Sequence, residues 1–447
     1  MKIVRNHGHS RRVTKVAAIA TAIATIAVLS ACSSGSSTAS STSTPTGNPT
    51  KGSITWWASP ITTSGADPRT VLIKEFEKAY PNITVKLISA PNDTDTNRAT
   101  LTTQISGGGG PDVYMGDVIW PAQFGAHQLA LPLSKYLGSS YWSTFANGLV
   151  SGATYKNEVY GAPFFEDQGF LYYRKDILAA DGLKVPTTWE QLVSDAKLAQ
   201  SKGQVKYGYV FQGANYEGAT CDYMEFLADA GGKVLNSSGD ASAIDSSAAQ
   251  KALSFEQSLV TSGVSPQATS TFQETQSMNA FSAGDSLFLR NWDYAYSTSQ
   301  ASGSAVIGKV GVAPMPTFEG ESTPGYSNIG GWNLYVNPHS KNVAADLTFI
   351  KWMTGKTAQT DLATQFSEIP TNAAVRSSSA VKSANPVLAI VSETKLVPRP
   401  SQTPNYPEVS QAIYSNVNGV LAGSLTPAAA LQKANSQINT AVKNGGL

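Results

Sequence analysis

Charge is scarce in this sequence. Only 14% of its 447 residues are Asp, Glu, Lys or Arg, where about a quarter is usual. The 32 basic and 31 acidic residues nearly cancel, at a formal +1. Such a chain has no basic field, so nucleic acid is not an expected partner. Cysteine is scarcer still, with Cys32 and Cys221 the only two. Of four histidines only His127 and His339 lie beyond the first ten residues. Two histidines and one spare cysteine cannot make a zinc site without several carboxylates, and no metal or cofactor is expected. No internal repeat period appears.

Apolar material is present in ordinary amount: 41% of residues are hydrophobic and 9% aromatic, enough to build cores. The exceptional stretch is N-terminal. Lys2, Arg5, Arg11, Arg12 and Lys15 precede a fifteen-residue apolar run from Val16 to Ser30, and no acid occurs before Ala31. The chain after Ala31 therefore carries 27 basic against 31 acidic groups, a net charge of −4. A basic start and a short apolar run make residues 1–31 a signal peptide. Ser10-Arg11-Arg12 hints at twin-arginine export, although the rest of that signal is poor. Leu29-Ser30-Ala31-Cys32 resembles the bacterial lipobox. That resemblance implies cleavage before Cys32 and attachment of a diacylglyceryl group to its sulfur, holding the protein on the outer face of the cell membrane. Residues 33–50 contain twelve Ser or Thr, so 32–50 reads as a spacer that cannot form a core. With Cys32 lipidated, Cys221 has no partner and no intrachain disulfide is expected.

The body alternates strands and helices. Ile54–Trp57 reads as a strand, and Val71–Tyr80 as a helix with Val71, Leu72, Phe76 and Ala79 on one face, stopped by Pro81. Ile83–Ile88 is a strand, Asn97–Ser106 a helix closed by Gly107–Gly110, and Pro111–Met115 a strand. This rhythm predicts an α/β fold with a parallel sheet covered by helices on both faces. Amphipathic stretches at Trp189–Gln200 and Ala248–Val260 and strand-like Ser286–Leu289 and Lys309–Ala313 continue it, and the last eighty residues read as helical.

Several motifs begin a chemistry and fail to complete it. Gly303–Lys309 approximates a phosphate loop, but Val310 stands where the magnesium-binding hydroxyl belongs. Gly284-Asp285-Ser286-Leu287 spells an esterase signature, yet no histidine is placed to activate Ser286. Asp93–Asn97 starts like a calcium loop, but Arg98 and Gln104 replace the glycine and the bidentate acid, leaving a loop rich in Asx turns. Glu166-Asp167 are adjacent, and adjacent carboxylates rarely flank a scissile glycosidic bond. An enzyme is not expected.

Aromatics beside loops are numerous: Trp56-Trp57, Trp120, Phe164-Phe165, Tyr172-Tyr173, Trp292 and Trp332. A sugar presents an apolar C–H face that an aromatic plane covers and hydroxyls that carboxylates and guanidinium groups bond. An ordered series then gives a specific likeness. It runs Pro111-Asp112…Asp117-Val-Ile-Trp120-Pro, Tyr160-Gly-Ala-Pro163, Asp167-Gln-Gly169-Phe-Leu-Tyr172-Tyr173-Arg174, Val185-Pro-Thr-Thr-Trp189, Phe281-Ser-Ala-Gly284, Gly330-Gly331-Trp332, Ile369-Pro370-Thr371 and Val397-Pro-Arg399-Pro400. From about residue 53 onward the chain resembles the carbohydrate-binding solute receptors of ABC importers, the family of maltose- and trehalose-binding proteins.

The resemblance implies a two-lobed, periplasmic-binding-protein-like fold of the maltose-binding-protein type, with the ligand cleft between lobes. Residues 51–161 and 306–368 would form lobe 1, and 162–305 and 369–447 lobe 2. It implies a monomer that hands its sugar, an α-glucoside such as trehalose or maltose, to the membrane subunits of a permease. Carried over by position, Asp117 and Asp167 would accept from sugar hydroxyls and Trp292 and Trp332 would cover ring faces. Gly331 would offer its N–H, while Arg399 and Arg98 would bond hydroxyls. Ser59-Pro-Ile-Thr-Thr63 departs from the pattern by lacking an acid, which leaves the sugar open. Tyr172, Tyr173 and Arg174 read equally as packing. Two other readings remain at this stage: a surface lipoprotein that hydrolyses glycans, and a receptor for a polyol or other non-sugar solute.

Overall fold

A computed structural model describes residues 51–61 and 66–444. The expected signal peptide 1–31, Cys32, the expected spacer to residue 50, and Thr62 and Thr63 lie outside the described residues. The strands are β1 (Gly52–Ala58), β2 (Ile83–Ser89), β3 (Val113–Asp117), β4 (Thr154–Tyr155), β5 (Glu158–Val159), β6 (Ala162–Gln168) and β7 (Phe170–Arg174). They continue as β8 (Tyr207–Val210), β9 (Ser286–Asn291), β10 (Val310–Ala313), β11 (Tyr326–Val336), β12 (Ile369–Pro370) and β13 (Lys395–Val397).

The first third folds as its periodicity predicts. Strand β1 runs parallel to β2 and to β3, and its inward Trp56 packs edge-on against Phe164 and Phe349 at 6.2 and 5.2 Å. Asp67 caps the helix Pro68–Ala79 by accepting from Arg69 N–H, and Pro68 occupies the first turn. That helix buries Leu72, Ile73 and Phe76; Val71 is half-buried and Ala79 exposed, so the buried stripe lies one residue away from the one expected.

Beyond β3 the expected parallel sheet becomes mixed. Its order is β12-β6-β11-β3-β1-β2, with β13 on the start of β11. The eleven-residue β11 runs antiparallel to both β3 and β6. Hydrophobic rhythm reports where strands are and carries no information on their direction. A second sheet has the order β10-β7-β9-β8, with β7 antiparallel to both neighbours. The small ribbon β4-β5 stands apart.

Gly169 alone separates β6 in the first sheet from β7 in the second. A Cβ there would lie 2.4 Å from Glu225 Oε1 and 2.7 Å from Arg290 Nη2, so the crossing requires glycine. Two segments pair in sheets across the expected lobe boundaries. Ala162–Gln168 belongs to the larger sheet, and Val310–Ala313 pairs with β7 in the smaller one. We propose that the lobes divide between the two sheets, at Gly169.

Other expectations are revised. The Asp93–Asn97 segment is the start of a helix, Thr94–Ser106, whose first turn is capped by Asp93 accepting Thr96 N–H at 2.8 Å. Trp56, Trp120 and Phe164 are core residues; Trp120 stacks on Phe124 at 5.0 Å. Tyr172 is core as well, its hydroxyl donated to the Trp292 carbonyl, and Arg174 pairs with Asp176. Ser286 is buried at the head of β9 and donates to Phe288 O, so no nucleophile is presented there. Among the described residues no helix is long and apolar enough to cross a membrane.

Candidate functional site

Strand ends and crossings bring distant side chains to one cavity of about 420 Å3, inside the range of roughly 300–1,000 Å3 usual for small-molecule sites. Asp117 ends β3, where it is paired in the ladder with Trp332 of β11. Asp167 lies near the end of β6, opposite Gly330. Trp292 follows β9 directly, and Arg399 follows β13 between two prolines. All of these line the cavity together with Gly331.

Of two adjacent glycines in β11, Gly331 is sterically required and Gly330 is tightly enclosed. Gly331 has φ +118°, and a Cβ on it would sit 2.5 Å from the Phe165 carbonyl oxygen. A Cβ on Gly330 would press on Asp167 and on the Trp292 ring at 3.1 Å each. Small residues here let the strand pass between an acid and an indole without filling the cavity.

Arg399 is the electrostatic centre. Its Nη2 donates to Asp117 Oδ1 at 2.9 Å and its Nη1 to Glu217 Oε1 at 2.9 Å, while its Nε has no partner. Glu217 opens the helix Glu217–Asp229 and also accepts from Tyr406 and Ser410 hydroxyls. Burial pushes the Glu217 carboxyl up to about 7 against the opposing pull of Arg399. Burial likewise raises Asp167 to about 7, helped by the nearby acids Asp117 and Glu166. Asp167 Oδ1 is buried and accepts no donor. One side of the Trp292 indole is covered by the Arg290 guanidinium, centred 4.0 Å from the ring. The site therefore presents carboxylate acceptors, a guanidinium group and indole surface, a combination suited to polyhydroxylated ligands.

Arg98 does not join this group. It lies on the helix Thr94–Ser106, is outside the cavity lining, and pairs with Asp95 one turn back at 3.3 Å. The helix that begins at Thr94 turns its arginine onto its own acid. Conversely, the cavity lining includes Tyr216, Glu217 and Glu274, which the sequence did not mark, and Cys221 and Tyr294, for which it suggested no binding role. Glu217 and Cys221 are four apart on one helix, a spacing that puts them on one face. Nothing in the flanking sequence marks that face as a cleft wall. Cys221 is buried and free.

A larger groove of about 1040 Å3 runs along Asn147–Ala153, Lys233–Gly239 and Leu396–Thr403 and shares Phe165, Gly330 and Arg399 with the first cavity. It contains neither tryptophan nor either of Asp117 and Asp167. The chemistry anticipated from sequence gathers in the smaller cavity.

The comparisons with known proteins agree with this geometry. A family model described as bacterial extracellular solute-binding protein matches residues 60–360. A probable ABC transporter-binding protein of Deinococcus radiodurans is 35% identical over 366 residues, covering 79% of this chain and 86% of that one. The maltose-bound MalE3 of T. maritima superposes with a TM-score of 0.81 at 32% identity, over 87% of this chain and 99% of that one. A solute-binding protein of Thermotoga lettingae bound with α-D-tagatose gives 0.79 at 27% identity, over 88% and 100%. The fold is thus of the maltose-binding-protein type. The matched family and these relatives are solute-binding proteins, and the hydrolase reading falls with that finding.

Proposed function

We propose that this chain, which belongs to the bacterial extracellular solute-binding protein family, is the receptor of an ABC importer for an α-glucoside such as maltose or trehalose. The observation that carries this reading is the convergence of Asp117, Asp167, Trp292, Gly331, Trp332 and Arg399 on one cavity from separate segments. Two acids and an arginine provide hydrogen bonds to hydroxyls, and two indoles provide faces for sugar rings. The likeness to a maltose-bound relative points to the same ligand class.

Ligand binding closes the two lobes about the Gly169 crossing, and the closed form is what the permease subunits recognise. Sugar favours closure only through contacts made to both lobes at once. Selectivity follows from burial, because a sugar lacking one hydroxyl leaves a buried carboxylate or guanidinium unpaired.

The test is a thermal-shift screen of residues 51–447 against maltose, trehalose, sucrose, longer α-glucans, β-linked disaccharides, tagatose and polyols. At a hundredfold over its dissociation constant a ligand stabilises the folded state by about 2.7 kcal/mol. A shift with an α-glucoside and none with polyols is expected. A shift confined to polyols would replace the proposed cargo, and silence across the panel would remove sugars from consideration.

Lipidation of Cys32 is the second part of the proposal, supported by the Leu29–Cys32 sequence. Two acyl chains on its diacylglyceryl group are enough for stable anchoring, where one is not. Cys32→Ser is expected to move the protein from the membrane fraction to the soluble extracytoplasmic fraction. A variant still sedimenting with membranes would show that the anchor lies elsewhere.

A further inference from the structure

Behind the cavity wall, three carboxyl groups meet with no cation in direct contact. Asp167, Asp293 and Glu368 bring oxygens within 4.8 Å of one another, and all three side chains are buried. Among the described residues none of the three forms an ion pair with a lysine or arginine. Asp293 spends Oδ2 on the Ile369 N–H at 3.0 Å. Asp293 Oδ1, Asp167 Oδ1 and both Glu368 oxygens are left without a donor. Acceptors cannot satisfy one another, and like charges this close in a buried site cannot all be ionised. At least one of the three must carry a proton.

The position of each group indicates that the proton is not on Asp167. Asp167 reaches the cavity and is nearest a positive charge, that of Arg399. Asp293 and Glu368 do not line the cavity. Acidic groups also face the cluster from neighbouring elements: Glu166 on β6 and Asp117 at the end of β3 act on Asp167. The Tyr172 and Tyr294 hydroxyls, held neutral by burial, lie close to Asp293 and Glu368. Burial and the Asp167 carboxylate push Asp293 and Glu368 well above the ordinary carboxyl range, and Glu368 adds to the rise at Asp293.

We propose that Asp293 is a positioning residue for sugar binding: kept neutral beside Glu368, it donates its carboxyl O–H to Asp167 and holds that carboxylate as an acceptor for a ligand hydroxyl. The inference rests on the sugar cleft proposed above. It adds that affinity depends on a proton two residues removed from the ligand. As pH rises far enough to strip that proton, the donor vanishes and Asp293 repels Asp167, so affinity falls on the alkaline side. The proton belongs to the coupled group, and the apparent pKa read from affinity is that of the cluster.

Asn at 293 keeps both hydrogen bonds, its carbonyl accepting from Ile369 N–H and its amide donating to Asp167, and it cannot titrate. Leu keeps the volume and loses both. The experiment is calorimetric titration between pH 6 and 9 of wild type, Asp293→Asn and Asp293→Leu with maltose, or with whichever panel sugar wild type binds. Infrared difference spectra of the sugar-free proteins are recorded for the protonated-carboxyl stretch. Wild-type affinity is expected to fall about tenfold or more across that range, as loss of one charge-assisted hydrogen bond dictates. Asp293→Asn is expected to vary less than about twofold, and Asp293→Leu to be weaker by about tenfold throughout. The wild-type-minus-Asn spectrum is expected to contain a protonated carboxyl at neutral pH.

A pH profile in Asp293→Asn identical to wild type would overturn the proposal. So would wild-type binding that EDTA abolishes and calcium restores, since a cation would then occupy the three carboxylates. If no sugar binds wild type, the receptor reading fails separately and the infrared spectrum decides the proton: no carboxyl band lost in Asp293→Asn would overturn its placement.

Discussion

Asp117→Ala is expected to weaken sugar binding by a factor on the order of 10^2–10^4 while the protein stays folded. Asp117 is the acid at the end of β3, and its carboxylate meets the cavity with Oδ1 bonded to Arg399 and Oδ2 only weakly engaged, by Arg399 at 3.5 Å and Thr94 at 3.4 Å. A ligand hydroxyl can take that second oxygen. A hydrogen bond to a charged group contributes roughly 1.5–3 kcal/mol, and loss of two gives the stated factor. The fold survives because Arg399 retains Glu217 as an ion-pair partner, and the other Asp117 side-chain contacts are a local bond from Ile119 N–H and the long one from the Thr94 hydroxyl. Calorimetric titration measures the affinity, and circular dichroism the fold. Affinity within tenfold of wild type would remove Asp117 from the site.

Arg290→Met is expected to cost about 3–5 kcal/mol of unfolding free energy, or to prevent folding altogether. This guanidinium has no exposure to solvent. It pairs with Glu225 at 2.6 Å and Asp222 at 3.0 Å and donates to Gln212 at 2.9 Å. Glu225 in turn accepts the Asn328 N–H of β11 and lies against Gly169. Arg290 therefore ties β9 and the helix Glu217–Asp229 to β11 and to the Gly169 crossing. Met fills much of the volume and leaves two buried carboxylates uncompensated. The triple variant Arg290→Met with Asp222→Asn and Glu225→Gln is expected to regain much of the loss, because no charge then remains unpaired. Urea unfolding of the three proteins measures this. A loss below about 1 kcal/mol in Arg290→Met would show that the network contributes little net stability.

The parts of this molecule legible in the sequence are those written in local pattern. The period of residues 54–115 predicted β1, β2 and β3 and the helices between them. Family-like motifs led to six residues that share one cavity, namely Asp117, Asp167, Trp292, Gly331, Trp332 and Arg399. Arg98 lies outside that cavity lining, on a helix that starts three residues earlier than expected and sets it against Asp95. Glu217 was missed for a related reason: its partner Arg399 lies 182 residues away. Asp293 follows Trp292 in the chain and was passed over, since what sets its chemistry is Glu368, brought beside it only by folding. Strand direction was likewise invisible, because β11 earns its antiparallel place by arriving from the second sheet.

The most direct measurement is a crystal structure of residues 51–447 with the sugar that gives the largest thermal shift. The expected result is one sugar between the sheets, with hydroxyls bonded to Asp117, Asp167 and Arg399 and ring faces against Trp292 and Trp332. A sugar seated instead in the larger groove along Leu396–Thr403, with Asp117 and Asp167 untouched, would contradict the assigned site.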